Sequence, residues 1–294
     1  MRPLIVTVLT IAGITAALLA SIVALVWWNQ ERIVFQPPRP PADEVTEARR
    51  IDYRAADGQP LFALLVEESA RAAATAAGES NGGPLVLAFH GNADLAAWQV
   101  PWARELVRRT GARVLLAEYR GYGGLGGVPT YEASRLDARA AWGVARDSLG
   151  ATPDAVTLYG HSLGSAVATE LAGALAESGT PPRALVLQSP FTSARAMVRI
   201  VGTGPVAFVW SAISRVHYDS ERIVRDLCAP VWVAHGERDL VVPVLMGRSL
   251  HDAARVKGEL LVVPGAGHND LAAVAGEAYW RWLSAGVDGT TAGH

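Results

Sequence analysis

Six short apolar runs separated by amphipathic segments constrain this chain more than any other feature. They are PLVLAFHG (84–91), ARVLLAEYRG (112–121), DAVTLYGHS (154–162), RALVLQSP (183–190), APVWVAHGE (229–237) and GELLVVPGA (258–266). Each is a β-rich stretch with no polar alternation, the pattern of a parallel strand covered on both faces. Between them, LAAWQVPWARELVRRTG, YEASRLDARAAWGVARDSLG and SLGSAVATELAGALAESG repeat apolar residues at helical spacing. Strand and helix in alternation predict a mostly parallel, doubly wound α/β sheet with helices on both faces. Ahead of it, RRIDYRA and PLFALLVEE flank Asp57-Gly58, which predicts a β-hairpin. The stretch SARAAATAAGESNGG after it reads as a surface loop.

Residues Leu4 to Trp28 carry no charge. At 1.5 Å rise per residue such a helix crosses a hydrocarbon core of ~30 Å. The run is too long, and LLASIVAL too poor a cleavage site, for a cleaved signal peptide, so residues 1–30 are expected to remain as a transmembrane anchor ending in the interfacial pair Trp27 and Trp28. The very short N-terminal tail favours a cytoplasmic N-terminus and an extracytoplasmic domain. The proline-rich stretch 31–46 reads as a stiff spacer, 47–288 as the α/β domain and 289–294 as a flexible tail. Residues 190–227 break the strand and helix rhythm and are expected to form a helical excursion near the sheet edge.

With 26 basic against 28 acidic residues, no nucleic-acid surface is advertised. The single cysteine, Cys228, excludes an intrachain disulfide and a multi-cysteine zinc site, and it reads as a small buried hydrophobe. No metal-ligand spacing occurs, and YRGYGGLGGVPT lacks the ending of a phosphate-binding loop, so no cofactor is implied and the glycine stretch reads as a mobile loop at the site edge.

The chemistry falls where strands end. Gly160-His161-Ser162-Leu163-Gly164 follows a predicted strand and enters a predicted helix, the context in which G-x-S-x-G presents a serine on a sharp turn. A serine hydroxyl needs a base and an orienting carboxylate. Asp239 and His268 each follow a later strand, in the order serine, acid, histidine. Glu237 is the rival acid. His161 is expected to point off the opposite side of the turn in a structural role, and Asp270 to cap the terminal helix. Backbone N–H groups for an oxyanion are expected from Leu163 and, in the strand-end turn FHGNAD, from Asn92.

FHGNAD, YRGYGG, YGHSLGSAVA, SPFTS, HGERDLVVP and GAGHNDL, in this order, resemble the α/β-hydrolase superfamily, in particular its membrane-anchored branch related to acyl-protein depalmitoylating and serine-aminopeptidase-like groups. The resemblance runs from Glu47 onward. It implies an α/β-hydrolase fold with Ser162 as nucleophile, His268 as base, Asp239 as orienting acid, and Asn92 and Leu163 as the oxyanion hole. It also departs from the family, because no large lid domain is evident.

The leading expectation is a membrane-tethered serine hydrolase that cleaves an acyl ester or thioester, of lipid or acyl-protein type, through an acyl-enzyme. Trp98, Trp102, Phe191 and Trp210 are candidates to line its pocket. A peptidase of the same fold, for which Glu118 and Arg120 are conceivable binding groups, and a non-catalytic tethered binding protein are the alternatives. Oligomeric state and acyl-chain length are not legible.

Overall fold

The hairpin signal at Asp57-Gly58 starts the sheet. In the computed structural model, which describes residues 2–38, 48–68, 83–201, 210 and 213–289, strand β1 (Arg49–Arg54) pairs antiparallel with β2 (Pro60–Val66), Arg54 opposite Pro60. Gly58 takes φ 83°, a value that favours glycine, and its N–H closes the turn on the Ala55 carbonyl. The six apolar runs become β3 (Leu85–Phe89), β4 (Arg113–Ala117), β5 (Val156–His161), β6 (Ala184–Gln188), β7 (Val231–Gly236) and β8 (Lys257–Val263). The sheet order is β1-β2-β4-β3-β5-β6-β7-β8, antiparallel up to the β2/β4 pair and parallel beyond it. The two faces of the sheet bury separate apolar clusters.

One face is covered by α2 (Val100–Thr110) and α9 (Glu277–Asp288), which touch each other. The other carries α3 (Tyr131–Gly143), α4 (Leu163–Glu177), α6 (Ser220–Asp226) and α7 (Val244–Ala253). Thr130 starts α3 by accepting the Ala133 N–H, as a threonine N-cap does. Asp270 occupies the cap position of the short helix α8 (Leu271–Ala275), but its carboxylate accepts the Gly267 N–H and makes no cap bond. Gly276 then separates α8 from α9, so the expected terminal helix is two helices.

The excursion after β6 holds α5 (Ala194–Val201) and α6 and is closed by a bridge between Ser193 and Asp219. The loop 69–82 and the tail 290–294 lie outside the described residues.

Ahead of the domain, α1 spans Arg2–Val34, and its segment Pro3–Val34 is long and apolar enough to cross a membrane. Thr7, Thr10 and Ser21 donate to carbonyls one turn back, which satisfies their hydroxyls without water. Residues 31–36 do not form the spacer expected there. Residues 31–34 continue the helix, Phe35 is buried in the domain core, and the Gln36 N–H donates to the Asn92 side chain, because these apolar and amide groups find partners on the domain. Residues 39–47 of that segment are outside the described residues. Cys228 is exposed, not buried, since it falls in the turn before β7 and its neighbours Leu227 and Ala229 take the core positions.

Candidate active site

Strand β5 ends at His161, and α4 begins at Leu163, leaving Ser162 alone to reverse the chain. Its φ of 52° and ψ of −116° are uncommon for a residue with a Cβ. The glycines on either side permit this. A Cβ at Gly160 would run into the Gly164 carbonyl, and one at Gly164 into the carbonyl oxygens of Phe89 and His90 at the end of β3. Ser162 makes no cap bond to its own helix, so the hydroxyl is available.

That hydroxyl donates to His268 Nε2 at 2.8 Å. His268 Nδ1, 29 residues beyond the acid in the chain, donates to Asp239 Oδ2 at 2.7 Å. The second oxygen of Asp239 accepts the N–H groups of Val241 and Val242, both at 2.8 Å. His235 Nε2 lies 3.2 Å from Asp239 Oδ2 and 2.9 Å from the Val242 carbonyl. Burial alone would raise the Asp239 pKa, but the hydrogen bonds from His235, His268 and the Val242 backbone outweigh it and hold the carboxyl well below its ordinary range. Asp239 is thus a fixed anion held at both oxygens. Glu237, the rival acid, is exposed and faces the Gly265 N–H.

His161 does not point away from the site. Its ring packs 5.3 Å from that of His268, and its Nε2 bonds the His268 carbonyl at 3.3 Å, because Gly91 leaves room for the ring where a side chain would stand. The Ser189 hydroxyl donates to the same carbonyl at 3.1 Å. The loop that carries His268 is therefore clamped from two strand ends. Burial, with the neighbouring His268, lowers the His161 pKa to about 4, so the ring is neutral at pH 7.

Asn92 and Leu163 face one cavity of about 490 Å³ together with Ser162. The Asn92 side chain is fully engaged: Oδ1 accepts the Tyr122 hydroxyl and the Gln36 N–H, both at 2.8 Å, and Nδ2 donates to the Val34 carbonyl at 2.6 Å. Tyr122 belongs to the glycine stretch expected to be a mobile loop. It is buried, and internal bonds from Gly121 to Gly126 and from Leu125 to Tyr122 make the stretch a tight turn that braces Asn92. Below it, Glu118 accepts from Ala96 N–H and Tyr119 N–H and pairs with His90 at 2.7 Å. Arg120 is bound by Asp57 and Asp137. Both residues serve the scaffold and not a peptide terminus.

Phe191 and Trp210, from the excursion, line the cavity with Met197, Val216 and Tyr218. Trp98 does not, standing half-exposed on the turn before α2. Trp102 is on the far face of the sheet, stacked on Tyr159 and donating to the Tyr279 hydroxyl. A helical repeat cannot reveal which sheet face a tryptophan will meet. His235 and Tyr122 escaped sequence reasoning because their partners lie across the fold, and the same is true of Ile33 and Val34, which line the cavity from the end of α1.

An eight-stranded sheet with a serine on a glycine-flanked elbow defines a class of protein, and comparison with known proteins agrees. A family model described as serine aminopeptidase matches residues 80–220. An uncharacterized protein of Mycobacterium tuberculosis is 33% identical over 269 residues, covering 89% of this chain and 88% of its own. The chain belongs to the α/β-hydrolase superfamily. Lysophosphatidylserine lipase ABHD12 of Danio rerio is 34% identical over 182 residues, 58% of this chain and 47% of that protein. Among solved structures, a Pyrococcus furiosus esterase aligns with a TM-score of 0.62 at 16% identity, over 86% of this chain and 97% of its own. Est1E from Butyrivibrio proteoclasticus gives 0.61 at 19%, over 83% and 100%.

Proposed function

We propose that this protein is a membrane-anchored serine hydrolase that cleaves the carboxylic ester of an acyl lipid, with Ser162, His268 and Asp239 as its triad. The observation that carries the reading is the continuous chain of hydrogen bonds from Ser162 Oγ to His268 to Asp239, opening on a cavity whose described lining is almost wholly apolar. The similarity to a lysophosphatidylserine lipase supports an ester of a lipid.

As Ser162 Oγ attacks the acyl carbon, its proton passes to His268 Nε2, and the imidazolium that forms is stabilised by the Asp239 carboxylate. The carbonyl oxygen becomes an oxyanion held by the backbone N–H groups of Leu163 and Asn92. His268 then returns the proton to the departing alcohol oxygen, which leaves an acyl ester on Ser162. In the second half, a water gives a proton to His268 as it attacks that ester, and His268 passes the proton to Ser162 Oγ as the acyl bond breaks, which releases the fatty acid and restores the serine. None of the described residues around the cavity carries a formal charge, which favours an acyl chain over a peptide amine or carboxylate.

The test is hydrolysis of esters of increasing acyl length by the full chain in detergent micelles, with Ser162→Ala as control. Turnover that rises with chain length and falls by about 10⁴-fold or more in Ser162→Ala is expected. Turnover unchanged in the variant would remove Ser162 from the mechanism.

A further inference from the structure

The last turn of α1 does more than tether. Gln30 is buried, and its side-chain oxygen accepts the Arg215 N–H at 2.7 Å. The Arg215 guanidinium reaches Glu31 at 3.3 Å and lies 4.6 Å from the centre of the Trp27 ring. Phe35 enters the core, and the Val34 carbonyl and Gln36 N–H hold the two ends of the Asn92 amide. A flexible tether needs none of these contacts. Ile33 and Val34, moreover, form part of the wall of the cavity that holds Ser162.

The mouth of that cavity has a direction. Of its lining residues, Ile33 is 51% exposed and Val241 54%, so the cavity meets the surface between the end of α1 and the loop after β7. Next to Val241 in the chain is Leu240, 96% exposed, and four residues on is Leu245, 68% exposed. Large aliphatic side chains so exposed on the rim of an apolar cavity mark a surface that meets something apolar. Ile33 lies five residues past Trp28, which along a helix is about 7.5 Å. An aromatic pair at the end of an apolar span sits at the headgroup level of a bilayer. With that pair at headgroup level, Ile33 would stand within about one headgroup layer of the acyl chains.

Resting on the hydrolase reading above, we propose that the end of α1 is a working part of the site: Ile33 and Val34 wall the acyl cavity, Val34 and Gln36 fix the Asn92 loop, and the mouth takes the chain of a long monoacyl ester directly from the bilayer. The helix thereby couples membrane seating to substrate selection. A lipid with one chain suits the one cavity of about 490 Å³ that opens at Ser162, and its ester would reach that serine while the polar end stays at the interface.

The experiment compares kcat/KM for a long-chain monoacylglycerol and for a water-soluble butyryl ester, with the full-length protein reconstituted in phosphatidylcholine vesicles. Three variants separate the roles of the helix. Exchanging residues 3–26 for an unrelated apolar helix should keep the long-to-short ratio within about twofold, whereas replacing residues 30–36 by a glycine-serine segment, with the span retained, should lower it about tenfold or more. Ile33→Trp, a single change that narrows the mouth, should also lower the ratio about tenfold and decides the matter should the segment exchange fail to fold. A ratio unchanged in both the segment exchange and Ile33→Trp, or lost in the 3–26 exchange, overturns the proposal. Failure of the hydrolase reading looks different, because the unaltered protein would then cleave neither ester above its Ser162→Ala control.

Discussion

Lowering the pH should destabilise this protein through His161 before it affects the acid of the site. Burial and the adjacent His268 bring the His161 pKa from 6.5 down to about 4, so the folded state resists a proton that the unfolded chain accepts. The sign follows: the stability tied to a neutral His161 is complete above pH 6.5, declines as the pH falls towards 4, and is gone below it. The gap of about 2.5 pH units corresponds to about 3 kcal/mol in full, of which about 2 kcal/mol is lost between pH 7 and 5. For a domain of this size that is a drop of about 4–8 °C in melting temperature. Thermal melts of the full chain in detergent at both pH values, for the unaltered protein and for His161→Gln, isolate this share. Glutamine keeps a donor for the His268 carbonyl, which Nε2 of His161 now bonds, but it cannot titrate. His90, whose pKa is raised by its partner Glu118 against the effect of burial, is common to both proteins and cancels. Equal losses in the two proteins between pH 7 and 5 would refute the reasoning.

Asp239→Asn should preserve the fold and lower kcat for ester hydrolysis by about 10⁴-fold, the order seen when other triads lose this charge. The amide oxygen would keep the N–H groups of Val241 and Val242, which turns the amide nitrogen towards His268 and forces the tautomer whose Nε2 already bears a proton; steady-state kinetics on protein that circular dichroism shows to be folded is the check. Gly164→Ala should cost about 1–3 kcal/mol or more, because the added methyl meets the backbone of β3 and not a movable side chain, and it should abolish labelling of Ser162 by a fluorophosphonate.

The parallel strands were legible because each is buried on both faces and so reads as an uninterrupted apolar run. Ser162 was legible for a different reason, namely that the backbone crossing at the elbow demands glycine at 160 and 164 and leaves a mark in the local sequence. Asp239 and His268 were expected from their strand ends and from the order serine, acid, histidine, and the fold brings both side chains to Ser162. What could not be read depends on contacts across the fold. The docking of Gln30 on Arg215, 185 residues away, uses one ordinary amide, and nothing near either residue announces the other. Trp98 and Phe191 look alike as isolated aromatics, yet one is exposed and the other lines the cavity, a distinction set by which sheet face the following helix covers. The spacer was misplaced at its start because a proline-rich composition marks stiffness but does not say where a preceding helix finds partners.

The backbone carries an independent sign of where the work is done. Among the described residues, three that are not glycine adopt positive φ: Ala93 at 52°, Ser162 at 52° and Ser189 at 49°. They follow β3, β5 and β6, which are neighbours in the sheet. Such conformations cost about 1–3 kcal/mol each and persist where surrounding contacts enforce them. Each has a local use. Ala93 turns the chain just after Asn92, Ser162 lifts its hydroxyl to His268, and Ser189 aims its own at the carbonyl of His268. Strain spread evenly over the domain would carry no information, whereas strain confined to three adjacent strand ends, two of them bonded to His268 and the third beside Asn92, supports the proposed site. The rigid β3, β5 and β6 edge supplies the geometry, and the excursion with the end of α1 supplies the apolar wall. Changes to the first, and to the Val34 and Gln36 bonds that hold Asn92, should therefore act on turnover of every ester, and changes to the apolar wall on the preference between long and short chains.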